Sequence, residues 1–399
     1  MRAAITAAAG LLLLAGACAA QVKTGFDVLE DNGFALLEGR RVGLITNHTG
    51  LDRNGESIVK KFAAAKNLRL VAIFSPEHGF SGTLDHGQKA GESVDALTGL
   101  PIHSLYGKTL RPTPEMLDGI DALVFDIQDA GARFYTYLAT MAYAMEEADK
   151  KLITFYVLDR PNPVTGEIVE GPLLEDSVRA LTAYFKVPIR HGMTAGEIAL
   201  MHAEAKGLYL KPEVVRMRGW TRRTWFDRTG IKWANPSPNI RSLDAETLYP
   251  GIGCFEATNV GVGRGTPSPF MWIGAPWLDS KAVLAKLKGK KIKGVKLSRE
   301  KRTPDGDVYA GQESDGIAFR ITDRDALRPV ELFLRLLCAM RDTKQTGLVI
   351  KWEDMKRMTG DDTLKELYSA GAPAEKIIAA YNKAAKDFRK ARTPYLLYK

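Results

Sequence analysis

Four short apolar runs punctuate the first part of the chain: Val42–Thr46, Leu70–Phe74, Ala122–Phe125 and Ile153–Leu158. Each is rich in branched and aromatic residues and bounded by polar turns, which is the pattern of a buried strand. Between them, Ser57–Ala65 and Thr136–Lys150 carry helical periodicity. The second sets Ala, Leu and Met against Glu146, Glu147 and Asp149 on the opposite side. Strands alternating with helices predict parallel βαβ units, and therefore a sheet covered on both faces. Farther on, Thr194–Lys206 reads as a helix opened by a capping box, Thr194 with Glu197 three residues later. Val330–Arg341 and Ala374–Lys390 read as helices that close a second domain. A Pro-rich break at Asn235–Asn239, followed by Tyr249-Pro250-Gly251, marks the expected junction.

The strands run into dense polar clusters. Val42–Thr46 leads to Asn47-His48-Thr49, and Leu70–Phe74 to Ser75-Pro76-Glu77-His78-Gly79. Ala122–Phe125 leads to Asp126 and Asp129, with Arg133 and Tyr135 beyond; Ile153–Leu158 leads to Asp159-Arg160-Pro161-Asn162-Pro163. Asp and Asn also cap helices and make turns, so any one cluster alone reads as loop chemistry. Four together point to a crevice, because open parallel sheets bind ligands outside the carboxyl ends of their strands. Asn47, Glu77, Asp126, Asp129 and Asp159 should therefore converge on one mouth. A second concentration runs from Glu256 through Asn259 and Arg264 to Thr266, followed by Trp272 and Trp277. Glycines at 261, 263 and 265 let backbone approach a ligand closely, and Arg264 offers a planar fork for a carboxylate. The two tryptophans read either as platforms for sugar rings or as core residues beside a Gly-rich hairpin.

Composition narrows the class. The chain has 399 residues, 45% hydrophobic and 26% charged, which fits a globular protein of about two domains and excludes a collagen, a coiled coil or a disordered chain. Three cysteines without CxxC spacing and six histidines give neither a disulfide framework nor a His-rich centre, and no metal is expected. No GxGxxG or P-loop motif is present, so no nucleotide cofactor is expected either. The formal charge is +9, with ten Lys or Arg and one acid between Lys281 and Arg302. That run reads as a solvated face or as an attraction to an anionic polymer or membrane surface. Nucleic acid is disfavoured, since the run lacks interleaved aromatics. Residues 1–20 open with Arg2 and an Ala/Leu core, the pattern of a secretory signal peptide. Cys18 alternatively marks a lipoprotein anchor. An exported, periplasmic or envelope-attached protein is the expectation, with membrane contact only through that anchor.

The strings Ser75–Phe80, Phe125–Tyr137, Leu158–Pro163 and Glu256–Thr266, in this order, resemble the NamZ-type exo-β-N-acetylmuramidase family. The similarity runs from about Gly39 to the C-terminus. It implies an α/β fold: a Rossmann-like parallel-sheet domain over residues 21–246, then a smaller C-terminal α/β domain over 247–399, with the active site in the cleft between them. It also implies removal of terminal N-acetylmuramic acid from the non-reducing ends of peptidoglycan fragments, with muramyl glycans as the partner. Two departures are the loop Ser81–Gln88, where a shorter segment beginning with Arg is usual, and Gly261, where many relatives carry Ser.

Glycoside hydrolysis needs an acid for the leaving oxygen and a second group on the opposite ring face. Glu77 is the acid candidate, with Phe74 and Phe80 nearby in sequence to desolvate it. Asp126 and Asp129 are equal candidates for the second carboxylate. The substrate's own acetamido group can instead act as nucleophile, with either aspartate orienting it. Arg133, Arg160 and Arg264 are candidates to hold the lactyl carboxylate, and Tyr135 and Tyr137 to donate to ring hydroxyls. His78, Asn47, Asp159, Asn162, Glu256 and Asn259 complete the substrate-contact set. Two other classes fit the same residues: a metal-dependent hydrolase using His48, His78, Asp126 and Asp129, and a non-catalytic glycan-binding protein.

Overall fold

Alternating apolar residues in each strand fill two separate cores, one on either face of a central sheet. The computed structural model of the protein describes residues 21–85 and 87–399. Its strands are β1 (Arg41–Thr46), β2 (Arg69–Ser75), β3 (Ser93–Val94), β4 (Pro101–Ser104), β5 (Ala122–Asp126), β6 (Thr154–Leu158), β7 (Glu213–Val215), β8 (Trp272–Ala275), β9 (Val295–Arg299) and β10 (Asp315–Ile321). The first seven form one sheet in the order β3-β4-β2-β1-β5-β6-β7. All neighbours are parallel except β3 with β4. On β5, Ala122 and Val124 join one core with Val42, Leu44 and the helices Gly25–Asp31 and Ile58–Ala64. Leu123 and Phe125 join the other, with the helices Thr136–Lys150 and Ala195–Lys206. The period of two that marks a strand thus covers both faces of the sheet.

The capping box appears as the spacing predicts: Thr194 accepts from the Glu197 amide while the Glu197 carboxylate accepts from the Thr194 amide. The second sheet is small and antiparallel, β8-β10-β9, flanked by the helices Ser280–Leu287 and Pro329–Asp342. The core on the Thr136–Lys150 side continues without a break from Ile45 to Phe388 and so holds both sheets together. Tyr249-Pro250-Gly251 is not a linker. It lies inside the helix Leu243–Ile252, and the junction expected at residues 246 and 247 falls within that same helix. Pro250 has no N–H to give the Glu246 carbonyl one turn back, and a 3-10 segment, Gly253–Ala257, follows the helix directly.

Among the described residues no helix is long and apolar enough to cross a membrane; the expected signal segment and Cys18 lie outside them. Cys254 and Cys338 are buried free thiols. Half of the basic run is paired in space: Lys286 with Asp342, Lys290 with Glu375, Arg299 with Asp315, Lys301 with Glu313 and Arg302 with Glu300.

Candidate active site

Parallel pairing puts the carboxyl ends of β2, β1, β5 and β6 side by side, and Thr46 stands directly opposite Asp126 in the register. The polar clusters after these strands therefore share one edge, as the sequence predicts. A cavity of about 230 Å³ opens at the junction of the two sheets' territories. Its walls come from both: Glu77, His78, Tyr135 and Thr136 from the first, Tyr249, Glu256, Arg264 and Phe270 from the second. A third wall comes from the helix Trp352–Thr359, through Asp354, Arg357 and Met358. Ligand pockets for drug-sized molecules run to roughly 300–1,000 Å³, so this one suits a single sugar rather than a chain.

Glu77 sits two residues past β2, buried, in a turn held by unusual backbone. His78 has φ 69° and Gly79 φ 72°. A left-handed histidine is uncommon and is kept only where surroundings over-determine it. Here Nδ1 of His78 donates to the Leu84 carbonyl at 2.7 Å and the ring meets Tyr137 edge-on at 6.4 Å. The partners of the Glu77 carboxylate are polar. Thr136 Oγ1 donates to Oε2 at 2.7 Å, the Gly87 amide donates to Oε1 at 3.3 Å, and the Tyr106 hydroxyl also bonds to it. Burial and the Glu77 charge push the Tyr106 phenol up to about 12. In the same lining, Glu256 Oε1 accepts from Nε and Nη2 of Arg264 at 2.8 and 2.6 Å. Burial holds the phenols of Tyr135 and Tyr249 well above their usual range, so both remain neutral donors.

Several expected contacts serve the fold instead. Asp126 is buried against Arg160 in an ion pair, and Arg160 gives Nη2 to the Leu51 carbonyl at 2.8 Å. Burial pushes Asp126 up to about 6 against the opposing pull of Arg160. Asp129 accepts from the Gly131 amide at 2.8 Å, with His191 Nε2 3.5 Å away. Neither aspartate lines the cavity; Asp129 lies near a buried glutamate, Glu246, that burial raises well above the carboxylate range. Asp159 ties backbone and tail together, accepting from Thr194, the Gly196 amide and Tyr398. Asn47 and Asn162 turn their own loops through bonds to Thr49 and Val164. Asn259 clamps Gly347 and Val349. Arg133 is buried among carbonyls, those of Pro172, Val187 and Met358. Tyr137 donates to the Pro236 carbonyl at 2.6 Å.

Trp272 is a core residue, fully buried over Gly274 and Gly316, with its indole N–H on the Glu300 carbonyl. Trp277 donates to Tyr309 at 2.8 Å, also away from the cavity. The glycine at 265 answers to packing, since a Cβ there would stand 2.4 Å from the Gly306 amide nitrogen. His48 and His78 direct one ring nitrogen each to the carbonyls of Asn235 and Leu84, and do not gather with Asp126 and Asp129 into one donor set.

Sequence profiles divide the chain as the cavity does. The N-terminal profile of exo-β-N-acetylmuramidase NamZ matches residues 42–244 and the C-terminal profile matches 247–398. The chain belongs to the NamZ family. It is 38% identical to peptidoglycan β-N-acetylmuramidase NamZ of Bacillus subtilis (strain 168) over 379 residues, 95% of this chain and 92% of that one. A crystal structure of a DUF1343 family protein from Bacteroides fragilis superposes with a TM-score of 0.87 at 35% identity, covering 95% of this chain and 99% of the other. A second DUF1343 protein from that organism gives 0.77 at 28% identity, with the same coverage. NamZ membership therefore covers both sheets and every wall of the cavity.

Proposed function

We propose that this chain is an exo-acting glycosidase that releases terminal N-acetylmuramic acid from the non-reducing ends of peptidoglycan fragments, in cell-wall turnover. The observation that carries the reading is a one-sugar cavity at the sheet edge, lined by Glu77 together with the Glu256–Arg264 pair. A cavity of about 230 Å³ suits exo action, because it has room for one terminal ring and not for a chain. Glu77 is the group that protonates that oxygen. Thr136 and Tyr106 hold its carboxyl in one orientation, which is the positioning that general acid catalysis requires. Glu256 faces the ring, where positive charge develops in the transition state, and the Arg264 guanidinium beside it fixes its orientation. Asp126 and Asp129, outside the cavity's lining, hold the adjoining loops through Arg160 and the Gly131 amide.

The protein acts outside the cytoplasmic membrane on this reading, supported by the Arg2 and Ala/Leu-rich opening of the chain. Cell fractionation, with mass spectrometry of the mature N-terminus, distinguishes a cleaved protein from one lipidated at Cys18. The activity is tested on purified protein with a chromogenic β-N-acetylmuraminide, using the β-N-acetylglucosaminide as control. Release from the first and little from the second is expected; equal release from both, or none, would remove the muramidase reading.

A further inference from the structure

The third wall of the cavity brings a guanidinium that the motifs do not contain. We infer that Arg357 is the residue that reads the carboxylate of the substrate's lactyl group, an inference that rests on the muramidase reading above. The other nearby arginines are already engaged. Arg133 and Arg160 do not line the cavity: Arg133 gives Nη1 and Nη2 to three carbonyls, and Arg160 is paired with Asp126 and the Leu51 carbonyl. Arg264 has two nitrogens on Glu256 and its third 3.7 Å from Asp85. A carboxylate arriving at Arg264 must displace Glu256 from a largely buried guanidinium, and what it gains there is offset by what is lost.

Arg357 differs in each respect. It is exposed to the cavity, and its carboxylate partner is Asp354, one helical turn back. Their side chains are 46% and 38% exposed, and an ion pair that open to solvent is weakly held. Among the described residues, Nε and Nη1 of Arg357 have no hydrogen-bond partner. The planar fork therefore keeps donors for a second carboxylate beside Asp354. Its placement is also fixed relative to the acid. Arg133 Nη2 donates to the Met358 carbonyl at 2.9 Å, and the same loop continues to Thr136, whose hydroxyl holds Glu77. A glucosamine ring, lacking the lactyl ether, leaves this fork without its partner.

The test compares wild-type protein, Arg357→Ala, Arg357→Gln and Arg264→Ala on three chromogenic substrates: the β-N-acetylmuraminide, its lactyl amide and the β-N-acetylglucosaminide. In both Arg357 variants the muraminide-to-glucosaminide ratio of kcat/KM should fall about three- to ten-fold, the scale of one partly solvent-exposed ion pair, chiefly through KM. The gap between lactyl acid and lactyl amide should close. A ratio unchanged from wild type, an equal loss on all three substrates, or a larger loss of preference in Arg264→Ala overturns the inference and leaves the muramidase reading standing. Absence of muraminide turnover by the wild-type protein overturns both.

Discussion

Glu77 occupies a turn whose conformation costs energy, and that cost buys a fixed carboxyl at the cavity wall. Replacing it with glutamine keeps shape and most hydrogen bonds, so Glu77→Gln should fold normally. Turnover of a muramyl-glucosamine bond should fall by about two to four orders of magnitude, the usual contribution of acid–base catalysis. A substrate whose leaving group needs no proton should lose far less. Steady-state rates on both substrates check this; equal losses would make Glu77 a nucleophile or an orienting group. At this scale the sequence exposed the candidates but not their directions. Asp126 and Glu77 follow adjacent regions of the sheet edge, yet one turns into an ion pair with Arg160 and the other toward the cavity. Both are carboxylates at the carboxyl end of a parallel strand, and only the partner across the fold separates their roles.

Elements carry the site through a few long-range ties. The helix Trp352–Thr359 ends at Gly360, where φ is 107° and a Cβ would lie 2.7 Å from Arg133 Nη2 and 2.9 Å from the Leu173 carbonyl. Gly360→Ala should therefore cost about 1–3 kcal/mol through backbone strain and push Arg133 off the helix end. Chemical denaturation would register the first effect, and a raised KM for the muraminide the second. A variant as stable as wild type would show that the helix end relaxes freely. The patterning finds most of the longer elements, including Thr136–Lys150 and the capping box at Thr194. It leaves β3, β4 and β7 unread because they are short edge or near-edge strands, and the whole antiparallel sheet β8–β10 as well. The helix Trp352–Thr359 escapes it for a related reason: eight residues, mostly polar, bury only Met355 and Thr359.

Across the whole molecule, Asp159 joins β6, the helix Ala195–Lys206 and the C-terminal segment through Tyr398. Burial pushes it up to about 7, with the bonds from Tyr398, Gly196 and Thr194 opposing the rise. An unfolded aspartate titrates near 3.9. Between about pH 4 and 7 the folded chain thus binds more protons at this site than the unfolded one. Its contribution to stability is greatest below pH 4, declines as pH rises to about 7, and is flat above. The slope is at most about 1.4 kcal/mol per pH unit. Asp159→Asn should remove that slope, so unfolding free energies of variant and wild type measured from pH 4 to 8 should differ in slope below pH 7 and run parallel above. Parallel curves throughout would show that Asp159 titrates normally.

Local patterning by itself determined the alternation of strand and helix, hence the parallel sheet and the edge at which polar loops gather, because periodicity and sheet chirality leave few other arrangements. Ordered motifs determined the family. Tertiary structure alone decided which carboxylates meet the cavity, that Trp272 is core, that the chain crosses between its halves on a helix, and that Arg357 joins Glu77 and Glu256. These depend on contacts between residues far apart in sequence, such as Arg133 with Met358 and Asp159 with Tyr398. No window of neighbouring residues contains both members of such a pair, so the packing that aims each side chain is set only when the two halves close on their common core.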